Sequence, residues 1–432
     1  MKYSPRELLG LLWTPLGRGE IVYGLRYRAW PIFAAAARVH RRRLGSRTRF
    51  VAVVGSFGKT TTARAVRAAL GVDFRRHVSA NNWTFIAQRV LAVRAGDRHA
   101  VIEAGINGPG QMARYASWIR PDVTVVTSIG SEHNRSLPSL EHARDEKAAM
   151  VRALPPGGVA VLNGDDPNVL WMRDQTDARI VTYGLGPEND VVGSKPRLDW
   201  PHGMQLDVTT SGVTRTLRTP LVGDKIAYPL LAATAVALVE GRTLDDIADA
   251  FTDLEPAPMR LAKVALPNGV WLLRDEYKSA LETVYTALDL LEAIPARRKI
   301  VVLGDVAEPM GSQGPIYRAL GEHLARIATR VIVVGSKHKS LTAGARRAGL
   351  STAMFVDAEH AVAEATALLR RELQPGDVVL VKGRDTERLD RIYLALTGKD
   401  VRCDRVLCDA RTRCGTCPML AHPWPEGRTP LP

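Results

Sequence analysis

The sequence predicts an α/β fold with mostly parallel sheets, divided between two α/β units. Short apolar runs recur along the chain and alternate with segments typical of helices, the pattern of buried strands in parallel sheets. The chain has 432 residues, which is too long for one ordinary domain. A proline-containing stretch at 256–258 indicates a linker between the units.

The first unit, a central domain, is expected over residues 50–257, and the second, a Rossmann-like α/β domain, over 258–398. Between about 190 and 225 the alternation of apolar and polar residues predicts short antiparallel strands flanking the first unit. The two ends are expected to be a basic segment at 1–49 and a cysteine-containing tail at 399–432. Buried strands are expected at 50–54, 99–103, 123–126, 158–162, 299–303, 331–334 and 378–381.

Composition favours a soluble globular protein, with 46% apolar and 24% charged residues. The net charge of +14 is concentrated near the start of the chain, where residues 1–50 contain eleven Lys or Arg and two Glu. No apolar run approaches the roughly 20 residues needed to span a bilayer. A signal peptide is not expected either, because the early apolar run is broken by Pro15 and lacks a small-residue cleavage site. The expected location is therefore the cytosol.

The basic segment at 1–49 has two interpretations. Arginines and aromatic residues interleave there before an Ala-rich stretch and a basic run at 40–43. This pattern is typical of an amphipathic helix on anionic lipid, which would place the protein peripherally on the inner membrane face. The same pattern also fits a helix that packs on the next domain and exposes its basic face to solvent.

A phosphate-binding loop is predicted directly after the first strand. Its seven residues are Gly55, Ser56, Phe57, Gly58, Lys59, Thr60 and Thr61. Glycines let the backbone fold around phosphate oxygens, and the following helix presents its first N–H groups to an anion. Lys59 would neutralise the β- and γ-phosphates, and a threonine hydroxyl would bind Mg²⁺. Val53 stands where the complete motif has glycine, so the loop is a shortened variant.

The loop and five later blocks resemble the Mur ligase family in the same order along the chain. The blocks are the loop, Asn81-Asn82, 103–110, 121–133, 162–167 and the pair Gly304-Asp305 with 382–384. Together they cover about residues 50–397. The resemblance implies a central P-loop ATPase domain, a C-terminal ligase domain and an ATP-dependent, Mg²⁺-dependent ligase. It further implies that a carboxylate is activated as an acyl-phosphate and then joined to an amine.

The resemblance also implies residue roles. Lys59, Glu103, His133 and Lys147 would be catalytic, with Thr60, Glu103 and His133 as Mg²⁺ ligands and Lys147 carrying CO₂ as a carbamate. Asn163, Arg260, Asp275 and Tyr277 would bind the nucleotide, and Asn81, Asn82, Lys382 and Arg384 the substrate. The alternatives are a solvent-facing strand-end carboxylate at Glu103, a structural hydrogen bond at His133 and a solvated helix face at Lys147.

Two departures from the family affect the substrate and the nucleotide contact. Lys278 follows Tyr277 where the family typically has asparagine. About fifty residues precede the phosphate loop, fewer than the domain that grips the UDP-sugar in the peptidoglycan ligases. A different acid, lipid-linked or polymeric as in poly-γ-glutamate synthases, is therefore an expectation beside the peptidoglycan precursor.

The cysteines of the sequence lie together in the tail, at Cys403, Cys408, Cys414 and Cys417. Four soft ligands suffice for a tetrahedral zinc site, and the last pair has the usual knuckle spacing. An iron–sulfur cluster and cysteines without metal are the alternatives.

Two other functions compete with the ligase. A P-loop phosphotransferase would need no amine, and a nucleic-acid-binding ATPase would use the basic charge. Glu103, His133 and Lys147 in family order disfavour the first. The second is disfavoured because aromatic residues make up 6% of the chain and no nucleic-acid module is recognisable.

Overall fold

The structure is a computed structural model that describes residues 15–72, 83–130, 137, 139–307, 309, 311–408 and 410–422. This part of the chain divides into two compact units, residues 26–257 and residues 15–25 together with 258–422. The division into four segments expected from the sequence stays a prediction. The predicted α/β fold is confirmed, because each unit contains a largely parallel sheet with helices.

The middle unit is built on a sheet of eight strands within the described residues, in the order β2-β1-β3-β4-β5-β6-β7-β8. Strands β1 to β6 pair in parallel, and β6, β7 and β8 pair antiparallel, as the sequence predicts for this flank. The strands are β1 (Arg49–Val54), β2 (His99–Glu103), β3 (Val123–Val126), β4 (Val159–Asn163), β5 (Arg179–Gly184), β6 (Val191–Asp199), β7 (Gly203–Thr210) and β8 (Val213–Thr219).

Helices cover both faces of this sheet and bury its apolar strands in two clusters. Including α1, which begins in the part of the chain before residue 26, they are α1 (Pro15–Arg28), α2 (Trp30–Leu44), α3 (Lys59–Leu70), α4 (Trp83–Ala92), α5 (Gln111–Ile119), α6 (Leu140–Arg152), α7 (Pro167–Leu170), α8 (Ala227–Val239) and α9 (Leu244–Thr252). Helix α8 is apolar all round and lies buried against the sheet, as expected for such a composition.

Helix α2 packs into the middle unit rather than standing apart from it. Ala34, Ala37 and Leu44 are buried, and Arg41 is 7% exposed. The Arg41 guanidinium donates to the carbonyl oxygens of Ile119 (2.9 Å) and Arg120 (2.8 Å). Part of the basic run therefore has a structural role. In the described part of the chain no helix combines the length and apolarity needed to cross a membrane.

The C-terminal unit contains a sheet of six strands within the described residues, in the order β13-β12-β11-β14-β10-β9, with β9 antiparallel at one edge. Its strands are β9 (Ala262–Ala265), β10 (Trp271–Asp275), β11 (Arg298–Leu303), β12 (Arg330–Val333), β13 (Phe355–Asp357) and β14 (Asp377–Lys382). Its helices are α10 (Leu281–Ala293), α11 (Gln313–Ile327), α12 (His338–Arg347), α13 (Val362–Glu372) and α14 (Asp390–Leu396).

Candidate active site

The loop after β1 has a backbone that requires glycine. Gly55 has a φ of 141°, and a Cβ there would lie 2.0 Å from Oγ1 of Thr127. Gly58, with a φ of 79°, is the N-terminal cap of α3, which begins at Lys59. The first turn of α3 therefore opens at the carboxyl end of β1, where its unpaired N–H groups can receive an anion.

The segment that follows β3 holds this loop in place. The amide of Ser56 donates to the carbonyl oxygen of Ser128 (2.8 Å), and the amide of Phe57 donates to the Ser128 hydroxyl (3.0 Å). The Thr127 hydroxyl donates to the carbonyl oxygen of Phe57 (2.6 Å). Sequence reasoning missed Thr127 and Ser128 as supports of the loop. Their signal was two hydroxyl residues at the end of the strand that neighbours β1.

Lys59 is 7% exposed, and its side chain folds back over the loop. Its Nζ donates to the carbonyl oxygens of Gly55 (2.8 Å) and Ser56 (2.6 Å). The ammonium group thus lies inside the curve of the loop.

The next residue, Thr60, contacts the end of β2. Its Oγ1 donates to Oε1 of Glu103 at 3.0 Å, and Glu103 is 4% exposed. Strands β1 and β2 are parallel neighbours, so the phosphate loop and the Glu103 carboxylate meet at the same edge of the sheet. A hydroxyl beside a carboxylate is a pair of hard oxygen ligands of the kind that Mg²⁺ prefers.

Lys147 lies on α6, the helix that begins at Leu140. It is 3% exposed. Burial lowers the pKa of Lys147 to about 7, and the positive charge of Lys59 adds to this effect. At neutral pH a substantial fraction of this amine is therefore uncharged and nucleophilic.

Two buried arginines lie near the Glu103 end of β2, and sequence reasoning missed both. Arg67 Nη2 donates to the carbonyl oxygen of Val101 (2.7 Å), and Arg89 Nη1 to that of Glu103 (3.5 Å). Burial lowers the pKa of Arg67 to about 9; Arg89 adds to this shift, and Glu103 opposes it. In the sequence each arginine looks like part of a solvated helix face, so only the tertiary structure reveals them.

Asn163, predicted to bind the nucleotide, ends β4 and is 6% exposed. Its amide Nδ2 donates to the carbonyl oxygen of Thr127 (3.0 Å), and its Oδ1 accepts from the amide of Asp165 (3.2 Å). These contacts connect β4 to the segment that braces the phosphate loop. Three other predicted site residues, Asn81, Asn82 and His133, lie outside the described residues.

In the C-terminal unit, Arg260 and Tyr277 lie against each other. The guanidinium carbon of Arg260 is 4.7 Å from the centroid of the Tyr277 ring. Met259 and Leu261, on either side of Arg260, have φ values of 62° and 48°. This left-handed conformation costs about 1–2 kcal/mol for each non-glycine residue, so the turn is held by its surroundings, including a bond from the Leu261 amide to Asp275 Oδ1 (3.2 Å).

Asp275 and Lys382 form a buried ion pair. Lys382 Nζ is 2.7 Å from Oδ2 of Asp275 and also donates to the carbonyl oxygen of Lys278 (2.6 Å). Lys382 is 1% exposed. Burial raises the pKa of Asp275, and Lys382 opposes that shift. The amine predicted to bind substrate is thus engaged in a contact within its own unit.

Arg384 follows in the next turn and is half-buried. Its Nη2 is 3.4 Å from Oδ2 of Asp305 and 3.6 Å from Oε1 of Glu387. Burial raises the pKa of Glu387, which also accepts the backbone amides of Asp305 and Arg384. Arg384 is the more accessible of the two predicted substrate cations in this unit.

The four tail cysteines form no disulfide bond with one another. Among the described residues, no three side chains of His, Cys, Asp or Glu are arranged closely enough to hold a metal ion.

The middle unit suits a triphosphate with its divalent ion. A side chain at Gly55 would collide with Thr127 and Ser128 and displace the loop. Lys59 Nζ lies on the carbonyl oxygens of the loop, and the Thr60–Glu103 oxygen pair is adjacent. The ammonium and backbone N–H groups match the negative charge of a phosphate chain. The hydroxyl and carboxylate oxygens suit a hard cation.

Comparison with known proteins identifies the family. Residues 53–237 match the Mur ligase middle domain, and residues 259–384 match the glutamate ligase domain of Mur ligases. A UDP-N-acetylmuramoyl-tripeptide–D-alanyl-D-alanine ligase of Mycobacterium bovis is 30% identical over 378 residues, covering 81% of this chain and 73% of that protein. A Bacillus subtilis ligase of the same name is 28% identical over 278 residues, covering 63% of this chain and 59% of that protein.

Among solved structures, MurF from Acinetobacter baumannii has the same fold, with a TM-score of 0.76, 22% sequence identity and coverage of 86% of this chain and 81% of that one. The two domain matches follow one another in the order that the sequence blocks predict. The resemblance read from the sequence is confirmed: this chain belongs to the Mur ligase family of ATP-dependent, amide-bond-forming ligases.

Proposed function

We propose that the middle unit carries the reacting end of the ligase, with Lys59, Thr60, Glu103 and Lys147 at its centre. The observation that carries this proposal is the 3.0 Å contact between the Thr60 hydroxyl and the Glu103 carboxylate, directly beside the phosphate loop. The loop would hold the β- and γ-phosphates through its backbone amides and the first turn of α3. Lys59 Nζ, now on the carbonyl oxygens of the loop, would turn to the phosphate oxygens.

Thr60 and Glu103 are the proposed ligands of Mg²⁺, and His133 joins them on the strength of the family resemblance. The ion, when bound, would neutralise charge on the transferred phosphoryl group. The chain's own part is to orient this centre, because Arg67 and Arg89 donate hydrogen bonds to carbonyl oxygens of β2. The substrate carboxylate would attack the γ-phosphorus and release ADP, and an amine would then displace phosphate from the acyl-phosphate.

Lys147 is proposed to react with CO₂ before catalysis. A neutral amine adds CO₂ and loses one proton, which gives a carbamate with two oxygen atoms. The pKa of about 7 supports this step, since burial and the Lys59 charge both favour the neutral amine. A carbamate would replace a positive charge near Lys59 with a negative one.

The C-terminal unit is proposed to contribute contacts to both substrates. Arg260 and Tyr277, with Asp275 supporting their turn, would contact the nucleotide, and Asn163 would support the nucleotide site from the middle unit. Arg384, the accessible guanidinium, is proposed to bind the carboxylate of the incoming amino acid or peptide. Asn81, Asn82 and Lys382 are assigned to substrate binding by the family resemblance.

For the substrates we propose a muramoyl-peptide acid and the amine D-alanyl-D-alanine, the pair named for the mycobacterial relative. The support is 30% identity over 81% of this chain. A lipid-linked or polymeric acid is the second candidate, and the same assay distinguishes them. The phosphotransferase and nucleic-acid alternatives are not favoured, because both Mur ligase domains match.

We further propose a cytoplasmic enzyme that contacts the inner face of the membrane through the exposed side of α2. Residues 21–72 contain no Asp or Glu. Ile32 is 73% exposed and Val39 49% exposed, beside the exposed Arg38 and Arg42, which suits an anionic lipid surface. The test is sedimentation with phosphatidylglycerol vesicles; binding should fall in the Ile32→Ser/Val39→Ser variant and with salt. The same amount of sediment for wild type and variant would contradict membrane contact.

A structural Zn²⁺ in the tail is a separate proposal, outside the reaction.

The test of the ligase site is an ADP-release screen over pairs of acids and amines, with mass spectrometry of the products. ADP should form only when an acid and an amine are both present. Glu103→Gln should raise the Mg²⁺ concentration needed for half-maximal rate at least tenfold, whereas the exposed Glu364→Gln should leave it unchanged. ADP release without any amide product, or an unchanged Mg²⁺ requirement in Glu103→Gln, would overturn the assignment.

A further inference from the structure

The four cysteines of the tail converge in the C-terminal unit although fourteen positions separate the first from the last. The Cys403 amide donates to the carbonyl oxygen of Leu420 (3.0 Å), and the Cys408 amide to that of Thr386 (2.8 Å). Cys414 begins a 3₁₀ turn (Cys414–Thr416), and Cys417 caps it. These backbone contacts fold the tail back upon itself beside α14. All four cysteines line one small cavity of about 20 Å³, together with Arg388, Arg391, Thr412 and Leu420.

The turn at Cys414–Cys417 orients donors towards sulfur. The backbone amide of Met419 donates to the Cys417 side chain, and the Cys417 amide donates to the carbonyl oxygen of Cys414 (3.1 Å). A Cys-x-x-Cys turn of this kind supplies two ligands of a tetrahedral site.

A buried cation faces the same cavity. Arg391 is 3% exposed, and its guanidinium donates to the carbonyl oxygens of Cys403 (2.7 Å) and Arg405 (2.6 Å). Its Nη1 is 3.7 Å from the sulfur of Cys403. Within the described residues no carboxylate lies within 4.0 Å of Arg391. A buried guanidinium is stabilised by a nearby anion, and a cysteine thiolate would supply that anion.

Charged groups of both signs lie near the cavity: two guanidinium groups favour a negatively charged centre, and one carboxylate opposes it. Arg388, also 3% exposed, donates to the carbonyl oxygens of Cys408 (2.9 Å) and Ala410 and pairs with Asp385 (3.3 Å). The buried carboxylate of Asp390 contacts Cys414. Two guanidinium groups therefore lie on the cavity and offset part of the charge of −2 that four thiolates and one divalent ion would carry.

We propose that Cys403, Cys408, Cys414 and Cys417 bind one Zn²⁺ ion as a structural tetrathiolate site. As described, the thiols surround the cavity without three of them meeting at coordination distance, and binding would draw the loops at 403–408 and 410–417 inward. A single ion suits the small cavity, whereas a cubic iron–sulfur cluster would not fit there. The consequence for the enzyme is local: the Cys408 amide bonds to Thr386, so the site would brace the turn that carries Arg384.

The wild-type chain provides the first test. Protein purified without chelator should contain about one zinc ion per chain, bound at a single site. All four thiols should resist a thiol reagent until a strong zinc chelator is added, and four should then react. Cobalt substitution should give the intense charge-transfer absorption of a tetrathiolate. Substoichiometric metal, reactive thiols before chelation or an iron–sulfur absorption spectrum would each overturn the proposal.

Variants distinguish the proposed zinc ligands from neighbouring residues. The Cys414→Ser/Cys417→Ser variant should lose the metal, whereas Thr416→Ser, within the same turn, should keep it. Arg391→Met should weaken zinc affinity at least tenfold in chelator competition, and Arg391→Lys should recover part of that loss because it restores the charge. Retention of zinc in the double cysteine variant would contradict the assignment, as would equal affinity in Arg391→Met and wild type. Every readout is metal content or thiol reactivity, so the outcome is independent of the ligase assay.

Discussion

The two units place their buried lysines in opposite electrostatic settings. In the middle unit, Lys147 is buried where the positive charge of Lys59 lowers its pKa. In the C-terminal unit, Lys382 is buried at 2.7 Å from the carboxylate of Asp275. The first arrangement brings like charges together, and the second pairs opposite charges. Like charges held together under burial are typical of sites that bind an anion or tune a reactive amine, whereas an internal pair is typical of structure. The difference predicts that lysine changes in the two units have different consequences.

The largest effect is expected from breaking the pair in the C-terminal unit. Asp275→Ala leaves the Lys382 ammonium buried without its carboxylate, so the free energy of unfolding should fall by about 3–5 kcal/mol. Chemical denaturation measures this, and Asp289→Ala, whose side chain is 67% exposed, is the matched control. If the two variants were equally stable, the Asp275–Lys382 pair would not be structural and the contrast between the units would fail.

The next effect is on catalysis in the middle unit. Lys59→Ala removes the cation of the phosphate loop, so kcat for amide formation should fall by roughly 10²–10³, the range seen when one preorganised charge-stabilising group is removed. Its stability should stay the same or rise, because one of two like charges is gone. The exposed Lys339→Ala should match wild type in both measurements. A large loss of stability in Lys59→Ala with unchanged kcat would contradict this prediction, because Lys59 would then have a structural role and no catalytic one.

A pH series tests the lysine environment directly. The folded pKa of Lys147 is about 7, against an ordinary value of 10.5, so the unfolded chain binds more protons between these values. The free energy of unfolding of wild type should therefore gain about 1.4 kcal/mol per pH unit from this group as the pH rises through that window. Lys147→Met should lack this gain, and Lys339→Met should keep it. Parallel stability curves for wild type and Lys147→Met would show that Lys147 keeps its ordinary pKa.

The smallest effect is expected at Arg260. Removing its stacking on Tyr277 should raise the KM for ATP roughly fivefold with little change in kcat, since a cation–π contact contributes about 1 kcal/mol. The exposed Arg346→Ala is the control in steady-state kinetics. An unchanged KM for ATP would argue against a role of the C-terminal unit in nucleotide binding. It would make the difference between the two units larger.

The sequence allowed prediction of much of the fold, because the signals for it are local. Apolar runs gave the strands, and the glycine-rich turn gave the phosphate loop at the correct end of β1. Family order then identified the enzyme class. All of these signals lie within short windows of the chain.

What the sequence could not reveal depends on contacts between distant segments. Arg67 and Arg89 lie on helices as ordinary charged residues and become buried only when those helices pack on β2. Arg41 sits in a basic run, yet its guanidinium serves carbonyl groups about 80 positions away. The burial of Lys382 against Asp275 depends on the parallel pairing of β10 with β14, and its role in substrate binding stays a prediction. The burial and the partners of these charged side chains are set by tertiary structure, and they determine whether each charge has a structural or a functional role.

Transfer of oxygen from the acid to phosphate tests the central claim most directly. With the substrate carboxylate labelled in both oxygens by ¹⁸O, a single turnover with ATP and amine should place one labelled oxygen in the released phosphate. The transfer should require Lys59, because the acid then attacks the phosphorus held over the loop. Unlabelled phosphate alongside a formed amide would contradict activation through an acyl-phosphate at this site.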